Sequence, residues 1–396
     1  STFTSANAQS VTLNNSNTFA TVAFVASAGT LANVTIVDSD AIDLAALTLT
    51  GDLTVTAGGN ISDSGTLVVP GTTTLVAGTN TVILDDAANN FGTVAVTSAT
   101  TATLVDIDAI DLGTSGVTTL NVTAGGAITD SGNLAVTGTS TFTSANAQSI
   151  TLDNSNTFSV LAFVASAGTL ANVTIVDSDA VDLAALTLTG NLTVTAGGNI
   201  SDSGTLVVPG TTTLVAGTNT VILDDAANNF GVVAITSATS ATLVDVGAID
   251  LGATTITGGL SVTAGGAISD SGTLAISGMT TIVAGANNVV LDVASNNFGT
   301  VAVTSAGTAT FVDTNAIDIG ATTVTTLNIT AGGAISDSGT IVASGTTTIV
   351  AGANNVVLDE AANNFGIVAV TSAGTATLVD VGAIDIGATT VTTLNI

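Results

Sequence analysis

The 396 residues carry 29 acidic side chains and no Lys, Arg or His, a formal net charge of −29 at pH 7, yet only 7% of the chain is charged and 46% is hydrophobic. With no cation to displace phosphate counterions, nucleic acid is excluded as a partner, and anionic membrane surfaces repel the chain for the same reason. So apolar a composition excludes a disordered polymer, the lack of Cys excludes a disulfide framework, and no apolar run approaches the roughly 20 residues of a membrane span.

Read from its first residue, the chain opens Ser1-Thr2-Phe3 with no Met and no basic region, the start expected of a processed protein or a piece of a longer one. The opening "STFTSANAQSVTL" returns as "STFTSANAQSITL" from Ser140, an offset of 139. A shorter unit lies inside that span. Phe19, Phe91, Phe158, Phe230, Phe298 and Phe365, in "NSNTF" or "NNFG", are spaced 72, 67, 72, 68 and 67 apart, and "AGG" turns at Ala57, Ala124, Ala196, Ala264 and Ala331 keep the same rhythm. The 72-residue copies carry extra residues after the Phe, in "TFATVAFVASAGTLANVTIVD". Units therefore run 1–72, 73–139, 140–211, 212–279, 280–346 and 347–396. The last stops about 17 residues short, as expected of a window on a longer solenoid or of subunits that complete each other end to end.

Each unit divides into three phrases of strand, small-residue turn, strand and acid. The terminal position reads Asn14, Asp38, Asp63, Asp85, Asp106, Asp130, Asp153, Asp177, Asp202, Asp224, Asp245, Asp270, Asp292, Asp313, Asp337, Asp359 and Asp380, in steps of 21 to 25. One coil per about 23 residues, with three short strands each, is the period of a parallel β-helix. The expected fold class is all-β: a right-handed parallel β-solenoid, three coils per repeat and about 17 coils in one continuous body.

Strand chemistry supports this. In "LTLTGDLTVTA", Leu47, Leu49, Leu53 and Val55 alternate with Thr48, Thr50, Thr54 and Thr56, the period-two pattern of one buried and one outer face. The only prolines, Pro70 and Pro209, occupy equivalent places in "LVVPGTTT" and should mark corners, because proline donates nothing to a ladder. No 3.6-residue periodicity or charged helical face is present.

The file of acids is the main candidate for chemistry. On successive coils such carboxylates would stand about 4.8 Å apart and repel by about 0.9 kcal/mol per pair in water. Three outcomes follow: the carboxylates cap corner N–H groups, they share Ca²⁺, a hard cation that takes oxygen ligands, or some are protonated. The metal set, if there is one, is Asp38, Asp63, Asp85, Asp106, Asp130, Asp153, Asp177, Asp202, Asp224, Asp245, Asp270, Asp292, Asp313, Asp337, Asp359 and Asp380; the solenoid calcium motif "GGxGxD" is absent. A second acid, in "AIDL", "AVDL" or "AIDI", occurs once per unit at Asp43, Asp111, Asp182, Asp250, Asp318 and Asp385. Asn-Asn-Phe-Gly reads as a corner with an Asn side-chain bond and an inward Phe. Outward Thr files give a binding module for ice or carbohydrate as one alternative. Asn-x-Ser/Thr sequons at Asn14, Asn33, Asn121, Asn172, Asn191 and Asn328 are coincidences expected of a Thr-rich chain. Catalysis is not expected: no His, Lys or Cys can serve as base or nucleophile, and each acid is a repeated one where a site should be a singular departure from the repeat.

The phrases "LTVTAGGNISDSGTLVV", "TTTLVAGTNTVILDDAANNFG" and "ATLVD" resemble the repeats of large secreted bacterial β-solenoid proteins, the filamentous-haemagglutinin-like adhesins and related giant β-strand-repeat surface proteins. The resemblance covers the whole chain and implies a shaft that projects a tip from the cell surface or assembles into fibres. It transfers no adhesive residue to any position here, and the total lack of Lys and Arg departs from typical shafts. The expectation is an extracellular, bacterial cell-surface structural rod, an adhesin shaft or filament subunit, with no required cofactor. Its partners would be copies of itself, end to end or lateral, and a host or neighbouring cell surface through other parts, with no membrane insertion. A calcium-dependent S-layer or sheath lattice is the other alternative.

Overall fold

A computed structural model describes residues 1–396 and contains strands, bridges and turns but no helix. The all-β parallel solenoid expected from the repeats is what forms. Two compact units divide the chain, residues 1–197 and 198–396.

In the first unit, Val11, Val34, Leu53, Thr73, Val94 and Leu112 stand side by side on successive coils. The chain returns to the same place after as few as 18 residues (Val94 to Leu112) and as many as 23 (Val11 to Val34). In the second unit, Ile200, Val221, Ala241, Leu260, Thr280, Val301 and Ile319 form the corresponding file. The coil is thus nearer 20 residues than 23. The aspartates overstate it because they slip along the coil. Ser62 faces Ile83, so Asp63 lies one residue beyond that pair and Asp85 two. Leu84 faces Leu104, so Asp106 is again one step further along.

The shorter coil changes the relation between repeats. Three coils from Leu53 end at Leu112, but the repeat ends at Leu120, the equivalent of Leu53 in "LNVTA". Those further eight residues carry the chain across to the other face, where Leu120 is flanked by Ala102 and Ser140. Each repeat is therefore about three and a half coils. Consecutive repeats present the same side chains on alternate faces. Two repeats make a whole number of coils, which is why the near-verbatim copy recurs at 139. Within the second unit the same holds: Leu260 lies in the file of Ala241 and Thr280, whereas its equivalent Leu327 lies between Ala309 and Thr347.

Inward positions are filled as the alternation requires. Leu47, Leu49, Leu53 and Val55 are buried, as are Ile36, Leu75, Val94 and Val96 of neighbouring coils. Thr48 and Thr50 are exposed, and Thr54 and Thr56 half-buried. β-Branched and Leu side chains suit this pleated, half-buried surface. Pro70 and Pro209 lie within Leu67–Val76 and Leu206–Val215, at points where the register of the ladder shifts, one of the few places a sheet tolerates proline.

Candidate functional site: the aspartate corners

The sixteen corner aspartates do not form one file. They fall into three roles that recur once per repeat.

In the first role, the carboxylate ties a strand end to the preceding coil. Asp106 Oδ2 accepts from the Phe91 backbone N–H at 2.7 Å while Oδ1 accepts from the Asp108 N–H at 2.8 Å. Asp38 does the same with Phe19 and Asp40, and Asp177 with Phe158 and Asp179. Asp245, Asp313 and Asp380 take Phe230, Phe298 and Phe365 together with Gly247, Asn315 and Gly382. The Phe lies 15 residues before the Asp in four copies and 19 before it at Asp38 and Asp177. The extra residues of the long repeats fall inside this loop and leave the bond intact. The inward Phe expected from "NNFG" is found: Phe91, Phe158, Phe230, Phe298 and Phe365 are buried.

In the second role, Asp63, Asp130, Asp202, Asp270 and Asp337 work through a buried asparagine. Asp202 Oδ2 accepts from Asn228 Nδ2 at 2.6 Å, and Asn228 Oδ1 accepts from the Leu206 N–H at 2.7 Å. Asn89, Asn156, Asn296 and Asn363 repeat this relay to Leu67, Leu134, Leu274 and Ile341. All five asparagines are 0% exposed. An amide that both donates and accepts is the group such a relay needs, since a carboxylate only accepts and a backbone N–H only donates.

The third role belongs to Asp85, Asp153, Asp224, Asp292 and Asp359, which give their backbone N–H to Oδ1 of the second group at 2.9–3.0 Å. Their own side chains are exposed. Capping of corner N–H groups is therefore what the first two groups do. No three carboxylates converge in a way that could hold a metal ion.

Burial raises the carboxyl pKa of Asp63, Asp106, Asp177, Asp202, Asp245, Asp270 and Asp313 above the ordinary value, against the lowering effect of their N–H donors. No cation in the chain offsets this.

The once-per-repeat acids sit on the outside of the coils among hydroxyls. Asp111 accepts from Thr93 at 2.9 Å, Thr129 at 3.2 Å and Ser131 at 2.5 Å. Asp318 takes Thr300, Ser336 and Ser338 in the same way. These are strand-to-strand ties with every partner on an adjacent coil.

Outward threonines do align, in short runs. Thr12, Thr35, Thr54 and Thr74 neighbour one another on four coils before Ala95 ends the file. Thr129, Thr151, Thr174 and Thr193 form a second run that begins next to Asp111.

Residues 31–98, 99–164, 170–237, 238–305 and 306–372 each match the model of one family, described as repeats of unknown function (DUF5649). The chain belongs to this family. The family limits start near the strand that leads to the first-role Asp, so one DUF5649 repeat spans one full set of the three corner roles. No curated protein and no solved structure matches the chain. No helix is long and apolar enough to cross a membrane.

Sequence reasoning missed the buried asparagine as the centre of the relay. The available signal was the Asn two residues before the Phe of "NNFG" or "NSNTF", which stands 26 residues after each second-role Asp.

Proposed function

We propose that this chain is an extracellular structural rod, the shaft of a surface adhesin or the subunit of a filament, and that it performs no catalysis. The observation that carries this reading is the use of the polar corners. The buried acids and asparagines bind neighbouring coils of the same chain: the acids accept from backbone N–H groups, and each asparagine donates to an acid and accepts from a backbone N–H. A site for substrate chemistry would be a departure from the repeat, and the three corner roles instead recur in each repeat. The resemblance to filamentous-haemagglutinin-like shafts supports the same reading, with copies of itself as the first partner and the bacterial cell surface as its place.

Electron microscopy of the purified chain tests this directly, with calcium and after chelation. Elongated particles or fibres with an axial coil spacing of about 4.8 Å in both conditions agree with the shaft. Compact, non-elongated particles would refute it.

The calcium-dependent lattice is the second reading, favoured by the third-role carboxylates, which are exposed and accept no hydrogen bond. It predicts that chelation disperses assemblies while circular dichroism of the fold is unchanged. Ice or carbohydrate is less well supported, because Ala95 interrupts the file of Thr12, Thr35, Thr54 and Thr74 after four coils.

A further inference from the structure

Once per repeat, a hydroxyl occupies an inward position that the alternation reserves for an aliphatic side chain. Thr73, Ser140, Thr212, Thr280 and Thr347 are each 0% exposed, and the Oγ of each finds no hydrogen-bond partner in the protein. Their neighbours in the file are apolar: Leu53 and Val94 flank Thr73, Leu120 and Leu161 flank Ser140, Leu260 and Val301 flank Thr280. Valine has nearly the same shape as threonine and needs no partner, so an orphan hydroxyl here costs about 1–3 kcal/mol that valine would avoid. Five copies in five keep the hydroxyl.

A second feature recurs at the same place. Two residues before each hydroxyl the ladder bulges, two residues against one. Pro70 and Gly71 oppose Gly92; Thr137 and Gly138 oppose Ser159; Pro209 and Gly210 oppose Gly231; Ser277 and Gly278 oppose Gly299; Ser344 and Gly345 oppose Gly366. A bulge leaves an extra residue outside the ladder and interrupts its hydrogen bonds locally. The approach is also close: a Cβ on Gly92 would overlap the Pro70 carbonyl, and one on Gly231 the Pro209 carbonyl. A fully buried, unbonded hydroxyl thus lies two residues from an interrupted ladder whose own residues Pro70, Thr137, Pro209, Ser277 and Ser344 are exposed.

We propose that each of these five positions is a binding site for one buried water molecule, held by the Thr or Ser Oγ and by backbone groups freed at the adjacent bulge. A buried water with two to four such partners is a common structural component. It accounts for the hydroxyl and the bulge together, since the bulge supplies the further partners that a lone hydroxyl in an apolar file lacks.

The test uses the full chain. Thr73→Val, Thr212→Val, Thr280→Val and Thr347→Val are made singly and, with Ser140→Ala, together. The water reading expects each valine to lower the thermal midpoint, on the order of 1–2 °C, and the combined variant to lower it further, because the water loses a partner and its backbone contacts are left unsatisfied. A midpoint raised by the valines overturns the proposal: the hydroxyl would then be an unsatisfied group whose removal relieves the core. A high-resolution crystal structure of the wild-type chain decides independently of variant folding. An ordered water within hydrogen-bond distance of each Oγ supports the sites, and close apolar packing around the Oγ refutes them.

Discussion

At the scale of single residues, stability rests on polar groups that have one partner each and no substitute. Replacing Asn228 by Ala removes the donor to Asp202 and the acceptor for the Leu206 N–H in a site closed to water. Leaving buried groups unsatisfied costs about 1–3 kcal/mol each, so urea denaturation of Asn228→Ala should show a loss of at least about 2 kcal/mol; a change within experimental error would remove the relay from the account. The reverse experiment is available at Asp250. Thr93 and Thr300 donate to Oδ2 of Asp111 and Asp318, but the equivalent neighbour of Asp250 is Val232, which offers no donor. Val232→Thr offers the missing donor and should stabilise by about 1 kcal/mol, read as a higher urea midpoint. Titration follows from the raised pKa values of Asp63, Asp106, Asp177, Asp202, Asp245, Asp270 and Asp313, whose largest cause is burial. A carboxyl that is a weaker acid folded than unfolded contributes stability in full below the unfolded value, and that contribution is lost as pH rises through the folded value. The chain should therefore resist urea better at pH 4.5 than at pH 7, the reverse of ordinary acid denaturation, and a lower midpoint at pH 4.5 would contradict the assigned burial effect.

At the scale of the element, the sequence disclosed the strands and concealed their arrangement. Alternation of Leu53 and Val55 with Thr54 and Thr56 was enough to orient each strand, because a side chain on a strand has only two directions to choose from. The terminal aspartates marked corners correctly. They misjudged the coil by about three residues, since an acid can cap a corner from several positions along it while a ladder pair cannot slip without exposing its inward face. The calcium set read from those aspartates assumed one stacked file, and Asp63, Asp85 and Asp106 instead stand at successively later places on their coils. The half-coil offset was visible only indirectly, in the greater fidelity of the copy at 139 than of those at 67 to 72. The buried Thr73 was invisible, as a Thr beside Thr72 and Thr74 looks like another outward residue. Bulge geometry is testable here: Gly231→Ala places a methyl on the Pro209 carbonyl, so it should destabilise by more than the roughly 1 kcal/mol that glycine-to-alanine changes gain at permissive sites, whereas Gly217→Ala meets no neighbouring atom and is opposed only by its φ of 59°.

At the scale of the whole molecule, one sign of charge governs behaviour in solution. Twenty-nine acids and no basic side chain mean that lowering the pH strips away nearly all the charge, leaving only the N-terminal ammonium. Self-repulsion that keeps copies apart at neutral pH fades as the carboxylates protonate. Sedimentation velocity should show association below about pH 4 with β-sheet circular dichroism retained, and a chain that unfolds before it associates would show that the corner ties need charged acceptors. The offset between repeats has a different consequence, for how such a gene can change length. Inserting or losing one repeat preserves every local contact yet transposes the outward residues of all later coils in that unit to the opposite face. Inserting or losing two restores them. Any loop, modification or contact that depends on facing one direction therefore makes the pair the neutral step of expansion, and a single-repeat change becomes a switch of orientation made without altering a residue.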